Sequence, residues 1–279
     1  MQDNSWLLPE GIDELLPARA RALEDLRRRL LDCYTGWGYQ LVMTPFIEFL
    51  ESLLTGTGRD LELQTFKLTD QVSGRLLGVR ADITPQAARI DAHRLRHEAP
   101  TRLCYIGTVL RTRGDGFSDS RSPLQIGAEL YGHAGVDSDV EIVCLMMETL
   151  RVAGLHDIYL DLGHVGIFRA LAEAADLSDR QEAALFDALQ RKASAEIATL
   201  VAGFRLAPEL ARMFTELPNL NGDLGVLQRA RKSLAGAPAA VAEAIDYVEA
   251  VATRLQDCQP DLPVHVDLAE LRAYHYQTG

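Results

Sequence analysis

The chain has 279 residues, 47% of them hydrophobic and 24% charged, with a formal net charge of −12. This length allows one large domain or a domain carrying an inserted subdomain, with the composition of an ordinary soluble globular protein. The acidity argues against a nucleic-acid surface, which needs clustered Lys and Arg, and no run approaches the ~20 apolar residues of a membrane span.

The opening residues, MQDNSWLLPEGIDELLP, place acids and prolines where a secretory signal needs a basic start and an apolar centre, so a cytoplasmic location is expected. Residues 17–34 set Leu23, Leu26, Leu30, Cys33 and Tyr34 at helical spacing, and Gly36 and Gly38 end that helix. YQLVMTPFIEF (39–49) reads as an extended run with an edge or bend at Pro45. Residues 65–84 read as a hairpin turning at DQVSG. Two strands bracket an arginine-bearing loop. In the first, LCYIGTVLR, alternation puts Leu103, Tyr105, Gly107, Val109 and Arg111 on one face; in the second, QIGAELYG, it groups Gln125, Gly127, Glu129 and Tyr131.

A helix over 139–153 and a strand over 157–163 follow. From 168 to 257 alanine and leucine dominate and strand signals vanish, with a capping-box pattern at Ser178 and Gln181 and breaks at 217–223 and 235–238. This is read as a helical insertion between a core of residues 1–167 and its return at 258–279, where strand texture resumes. Cys33, Cys104, Cys144 and Cys258 lie far apart without C-x-x-C or nearby His, the pattern of reduced, mostly buried thiols and not of a zinc site. His93 and His97 stand at i,i+4 spacing but lack the glutamate of a metalloprotease helix, so they read as solvated surface and no metal is expected. No G-x-S-x-G, Walker or H-E-x-x-H motif is present.

The chemistry concentrates on three polar positions and one strand. In VRADIT, alternation sets Arg80, Asp82 and Thr84 on one side. Gln125 and Glu129 are four residues apart, ~13 Å at ~3.4 Å per residue, with Gly127 leaving the gap between them unfilled. Carboxylates, an amide and a hydroxyl over a glycine floor suit a small zwitterion with an ammonium group, because buried charge is costly unless paired. The alternative is a sheet face satisfied internally by Arg80, Arg111 or water. Arg111, Arg113 and Arg121 make the adjoining loop one that would receive an anion.

The order of these segments resembles class II aminoacyl-tRNA synthetases, histidyl-tRNA synthetases in particular. LPEGIDELLP resembles that family's opening. GWGYQLVMTPFIEF resembles its first motif, YIGTVLR with LQIGAELYG its second, and VRADIT and AYHYQTG its two histidine-specific segments. The resemblance implies an α+β fold, an antiparallel sheet flanked by helices, with the helical region at the place of a variable insertion. It also implies a third motif beyond Gly279. Residue by residue, it assigns Asp82 and Thr84 to the α-amino group of histidine, with a shorter acid in the first place than the family's usual Glu. Gln125 and Glu129 complete the amino and imidazole contacts, and Tyr276 stands beside the imidazole. Arg111 matches the arginine that grips the α-phosphate, and is grouped with the histidine-binding set.

The nucleotide half departs from the pattern. Arg113 stands where the family has an acid, Pro123 replaces an aromatic that stacks on adenine, and Leu271 aligns without a gap to a catalytic arginine, a place Arg272 fills if one gap is allowed. Losing one pre-placed donor of this kind commonly costs ~2.7–4 kcal/mol of transition-state stabilisation. A kept histidine pocket with a damaged adenylation site, together with ADITPQAARI, is similar to a paralogous family, the regulatory subunits of ATP phosphoribosyltransferase. That resemblance implies a non-catalytic chain that activates a short catalytic subunit in the first step of histidine biosynthesis. It implies L-histidine as allosteric ligand and no cofactor, and a homodimer within a hetero-octamer that binds neither nucleic acid nor membrane. Two other readings remain open: the catalytic core of a divergent histidyl-tRNA synthetase, and an unrelated amino-acid-binding module.

Overall fold

The computed structural model describes residues 6–55, 59–114 and 120–271, which divide into two compact units, 1–156 and 157–279. In the first, helix α1 (Pro17–Gly36) leads to β1 (Gln40–Leu41), β2 (Ile47–Phe49), α2 (Leu50–Leu53), α3 (Arg59–Gln64), β3 (Phe66–Thr69), β4 (Leu76–Val79) and α4 (Thr84–Ile90). A π-helical turn, Asp91–Leu95, precedes β5 (Thr101–Thr108), β6 (Leu124–Tyr131) and α5 (Val136–Val152). The second unit holds β7 (Leu160–Leu162), α6 (Val165–Ala174), α7 (Asp179–Gln190), α8 (Ser194–Phe204) and α9 (Pro208–Glu216). It continues with β8 (Asn221–Gly222), α10 (Gly225–Ser233), α11 (Ala239–Cys258) and β9 (Val264–Asp267). The fold is α+β, with the strands in small three-stranded sheets.

Pro17 opens α1 at a position where the missing N–H costs nothing, and Leu30 and Tyr34 turn its buried face inward. That face joins Tyr39, Cys104 and Leu145 in a cluster between α1, α5 and the sheet β1-β5-β6. The sheet is antiparallel at β5–β6 but parallel at β1–β5. The extended run 39–49 splits near Pro45. Its first part pairs with β5, while Ile47–Phe49 pairs with β4 in a second sheet, β2-β4-β3. The hairpin β3–β4 forms at the expected place, where the Asp70 carboxylate accepts from the N–H groups of Val72 and Ser73 at 3.1 and 3.2 Å. The next expectation fails: strand alternation does not continue through VRADIT, because β4 ends at Val79 and Thr84 starts a helix.

In the second unit six helices pack around Phe168, Phe214, Leu185, Leu189 and Ile197, all essentially without exposure. The Ser178 N–H donates to Gln181 Oε1 at 3.0 Å, one half of the expected capping box. The helical stretch is not free of strand, since β8 pairs with β9; two residues carry no periodicity for a sequence pattern to reveal. Of the free thiols, Cys104 and Cys144 are buried and Cys258 is exposed. No described helix is long and apolar enough to cross a membrane.

One buried carboxylate ties the site-bearing helix to the sheet. Glu48 on β2, 8% exposed, accepts from Arg89 Nη2 at 2.6 Å and Nε at 3.1 Å, and from Gln86 Nε2 at 2.9 Å, both on α4. The same amide nitrogen reaches the Pro45 carbonyl at 2.8 Å. Glu48→Ala strands these donors, and a loss of about 2–3 kcal/mol is expected, read as a lowered midpoint in urea unfolding with unchanged slope.

Candidate functional site

The β5–β6 register places Leu103 opposite Glu129, Tyr105 opposite Gly127 and Gly107 opposite Gln125. Directly opposed residues share a face, so the alternation read from both strands holds. The gap at Gly127 is not empty, however. A Cβ there would lie 2.3 Å from the Cζ and Oη of Tyr105, so glycine is required because the tyrosine ring occupies its side-chain space. The chain supplies its own floor.

Tyr105 is 3% exposed, and its hydroxyl is the centre of the polar network. It donates to Glu129 Oε1 at 3.0 Å and lies 2.8 Å from Thr84 Oγ1. Burial, followed by the charge on Glu129, raises the phenol well above its ordinary range, so it stays protonated. The Glu129 carboxyl is also raised, chiefly by burial and further by Asp82, against the opposing effect of the Thr84 and Tyr105 hydroxyls.

Asp82 and Thr84 are joined by a local turn: Asp82 Oδ1 accepts from the Thr84 N–H at 3.0 Å. The same oxygen accepts from Gln125 Nε2 at 2.7 Å, and Gln125 Oε1 accepts from the Ile83 N–H at 3.0 Å. These bonds fix the orientation of the Gln125 amide and leave acceptor capacity on Asp82 Oδ2 and Gln125 Oε1, with one Nε2–H still to donate. Asp82, Thr84, Gln125 and Glu129 therefore belong to one constellation. A group rich in N–H donors is what such acceptors can take.

Arg80 departs from the expected arrangement. Its donors go to neutral oxygens, the carbonyls of Thr108 and Thr44 (both 2.9 Å) and Thr44 Oγ1 (2.8 Å), and burial lowers its pKa. A Cβ at Gly107 would meet its Nη2 at 2.4 Å. It braces the chain and does not neutralise the carboxylates of the constellation.

The loop arginines have separate fates. Arg111 pairs through its backbone with Arg121, N–H to O at 2.8 Å, and its Nε approaches the Ala81 carbonyl at 3.5 Å. Arg121 donates to the carbonyls of Arg111 and Glu10 at 3.1 and 3.0 Å, so it is committed to holding the loop base. Arg113 is exposed. Pro123 accepts from the Val109 N–H at 3.0 Å, continuing the pairing between the two strands. Leu271 lies in the second unit, fully buried in its apolar core. Tyr276 and Arg272 lie outside the described residues.

Tyr105 and Tyr131 are the site residues that sequence reading missed. Tyr131 shares the face of Glu129, and its buried hydroxyl has no hydrogen-bond partner among the described residues. His93 and His97 are both exposed, and Arg96 between them takes a left-handed φ of 51° that ends the turn, so they do not share a helix face.

The family model described as Histidyl-tRNA synthetase matches residues 11–279. A solved structure from Bacillus halodurans, described as an ATP phosphoribosyltransferase regulatory subunit/histidyl-tRNA synthetase, superposes with a TM-score of 0.84 at 25% identity. It covers 96% of this chain and 69% of that one. The ATP phosphoribosyl transferase (HisG:HisZ) complex from Thermotoga maritima shares the fold, with a TM-score of 0.62 at 18% identity over 89% of this chain and 81% of that one. The architecture is therefore that of the class II, histidyl-tRNA synthetase-like proteins. Within that class, the ATP phosphoribosyltransferase regulatory subunit of Alkalilimnicola ehrlichii is 62% identical over 278 residues, 100% of this chain and 69% of its own length. The chain belongs to the family of ATP phosphoribosyltransferase regulatory subunits, and its role is regulatory.

The raised Glu129 fixes a sign. Its folded carboxyl holds a proton more tightly than the unfolded one, so its contribution favours the fold below the unfolded pKa and is lost as pH rises through the folded value. Glu129→Gln keeps an acceptor for Tyr105 while removing the buried charge. It is expected to raise the melting temperature at neutral pH, with the gain shrinking toward pH ~4; thermal melts across that range check it, and a gain that grows in acid contradicts it.

Proposed function

We propose that this chain senses L-histidine and passes that signal to a short catalytic subunit of ATP phosphoribosyltransferase, without chemistry of its own. The observation that carries the reading is the linked set Asp82, Thr84, Gln125 and Glu129 beside a loop in which Arg113 and Pro123 stand at the nucleotide positions. The acceptors of Asp82 and Gln125 suit the α-ammonium, and Glu129 suits an imidazole N–H. Among the described residues Arg111 completes the proposed pocket. No cofactor is required, and the net charge of −12 fits a chain that binds no tRNA.

Histidine regulates by linkage: it must bind the inhibited assembly more tightly than the active one, and a coupling of ~1–3 kcal/mol suffices. The partner follows from the names of the relatives, and a homodimer inside a larger hetero-oligomer is what the family resemblance implies. The run before and into β2 supports self-association, because Leu41, Met43, Phe46 and Ile47 are exposed apolar side chains within seven residues, Met43 to 81%. The cytoplasm is the compartment where such a biosynthetic complex would work.

Reconstitution with a short catalytic subunit tests the reading. Added chain should raise phosphoribosyl transfer, and histidine should suppress the raised rate. No effect of the chain on that rate overturns the proposal. In calorimetry, Glu129→Ala should weaken histidine binding by about 100-fold or more, as expected for a charged hydrogen-bonding partner removed from a buried site. Ile47→Asp should shift the protein toward monomer in sedimentation while leaving the far-ultraviolet circular dichroism unchanged.

A further inference from the structure

Tyr131 stands two residues beyond Glu129 on β6, ~7 Å along the strand at ~3.4 Å per residue. The register sets Glu129 opposite Leu103 and Tyr131 opposite Thr101, so both side chains leave the sheet on the same face. The Tyr131 hydroxyl is buried, and no described residue bonds it. A buried hydroxyl without a partner is a cost that folding alone does not recover. Bulk water does not reach it, so the group that satisfies it must be carried into the pocket.

We propose that Tyr131 is a specificity residue that donates to the bare ring nitrogen of bound histidine while Glu129 accepts from the N–H of the other nitrogen. This rests on the histidine reading of the site and deepens it. A neutral imidazole presents one N–H and one nitrogen lone pair, directed away from each other across the ring. Hydrogen-bond partners at the two nitrogens stand roughly 7 Å apart, which is close to the repeat between same-face neighbours on a strand. An acceptor and a donor at adjacent same-face positions therefore match a ring with two nitrogens. A ring with only one leaves the phenol unsatisfied.

The two members of this pair are held in opposite roles. The hydroxyls of Tyr105 and Thr84 both steady the Glu129 carboxylate. A carboxylate has about four lone-pair sites, so room remains for a ligand N–H. Burial, then the charges of Glu129 and Asp91, push the Tyr131 phenol far above its ordinary range, so it keeps its proton and can give it. Its cross-strand neighbour makes no claim on that proton, because the buried Thr101 donates its own hydroxyl to the Ala99 carbonyl at 3.4 Å.

The test compares L-histidine with β-pyrrolylalanine, which keeps a ring N–H and has carbon in place of the second nitrogen, by calorimetry on the full chain. The wild-type protein should prefer histidine by about tenfold or more. Tyr131→Phe removes only the hydroxyl and should reduce that preference about tenfold, by weakening histidine and sparing the analogue. If the ratio is unchanged, whether both ligands weaken or neither does, Tyr131 does not read the ring and the proposal is overturned. Thermal melts without ligand supply a second measurement. Removing an unsatisfied hydroxyl should leave the melting temperature unchanged or raise it, whereas a fall shows that the phenol is already bonded inside the protein and overturns the proposal. Wild-type protein that binds neither ligand removes the histidine reading itself, a result distinct from an unchanged ratio.

Discussion

The constraint on which the site depends is the close approach of the Tyr105 ring to Gly127 across the β5–β6 ladder. Any side chain at position 127 would collide with the ring at 2.3 Å. The missing Cβ lets a large aromatic lie flat across its partner strand, and this carries its hydroxyl to Glu129 on that strand and to Thr84 at the head of a helix. Two pieces of chain more than 40 positions apart thereby share one hydrogen-bond system. A buried carboxylate is tolerable only with such partners, and the raised proton affinity of Glu129 is the residual cost of that burial. The protein retains an unfavourable charge where a ligand cation or N–H donor would relieve it.

Much of this was legible in the sequence, and the failures are instructive. The two strands are regular over eight residues each, so their faces and the grouping of Gln125 with Glu129 followed from period two alone. The same rule failed at VRADIT. Asp82 and Thr84 do meet, but through an aspartate-capped turn at the mouth of a helix, which a periodic reading cannot distinguish from a strand. Tyr105 was hidden for a different reason: between Leu103 and Val109 it reads as core, and only its partner Gly127 betrays that its hydroxyl has somewhere to go. The β8 pairing was invisible because a two-residue strand has no pattern. Arg80 shows the limit of charge reasoning, since a cation near carboxylates in sequence spends its donors on carbonyls and a threonine.

The functional reading joins this geometry to kinship. In a chain of the ATP phosphoribosyltransferase regulatory family with a synthetase-like architecture, the proposed site divides in two. The half proposed to recognise an amino acid is built from strand and helix positions locked by mutual hydrogen bonds. The half that would steer a nucleotide depends on loop side chains, and there Arg113 is exposed while Pro123 serves the backbone pairing. Recognition without activation is the chemistry a sensor needs. Histidine that is bound but not consumed can report its own concentration.

The account stands most directly on whether the pocket binds histidine without activating it. The decisive measurement is incubation of the purified chain with labelled L-histidine, ATP and Mg²⁺, followed by separation of free amino acid, bound amino acid and histidyl-adenylate. The account predicts saturable histidine binding that is indifferent to ATP, with the amino acid recovered unchanged. Accumulation of histidyl-adenylate with release of pyrophosphate would contradict it.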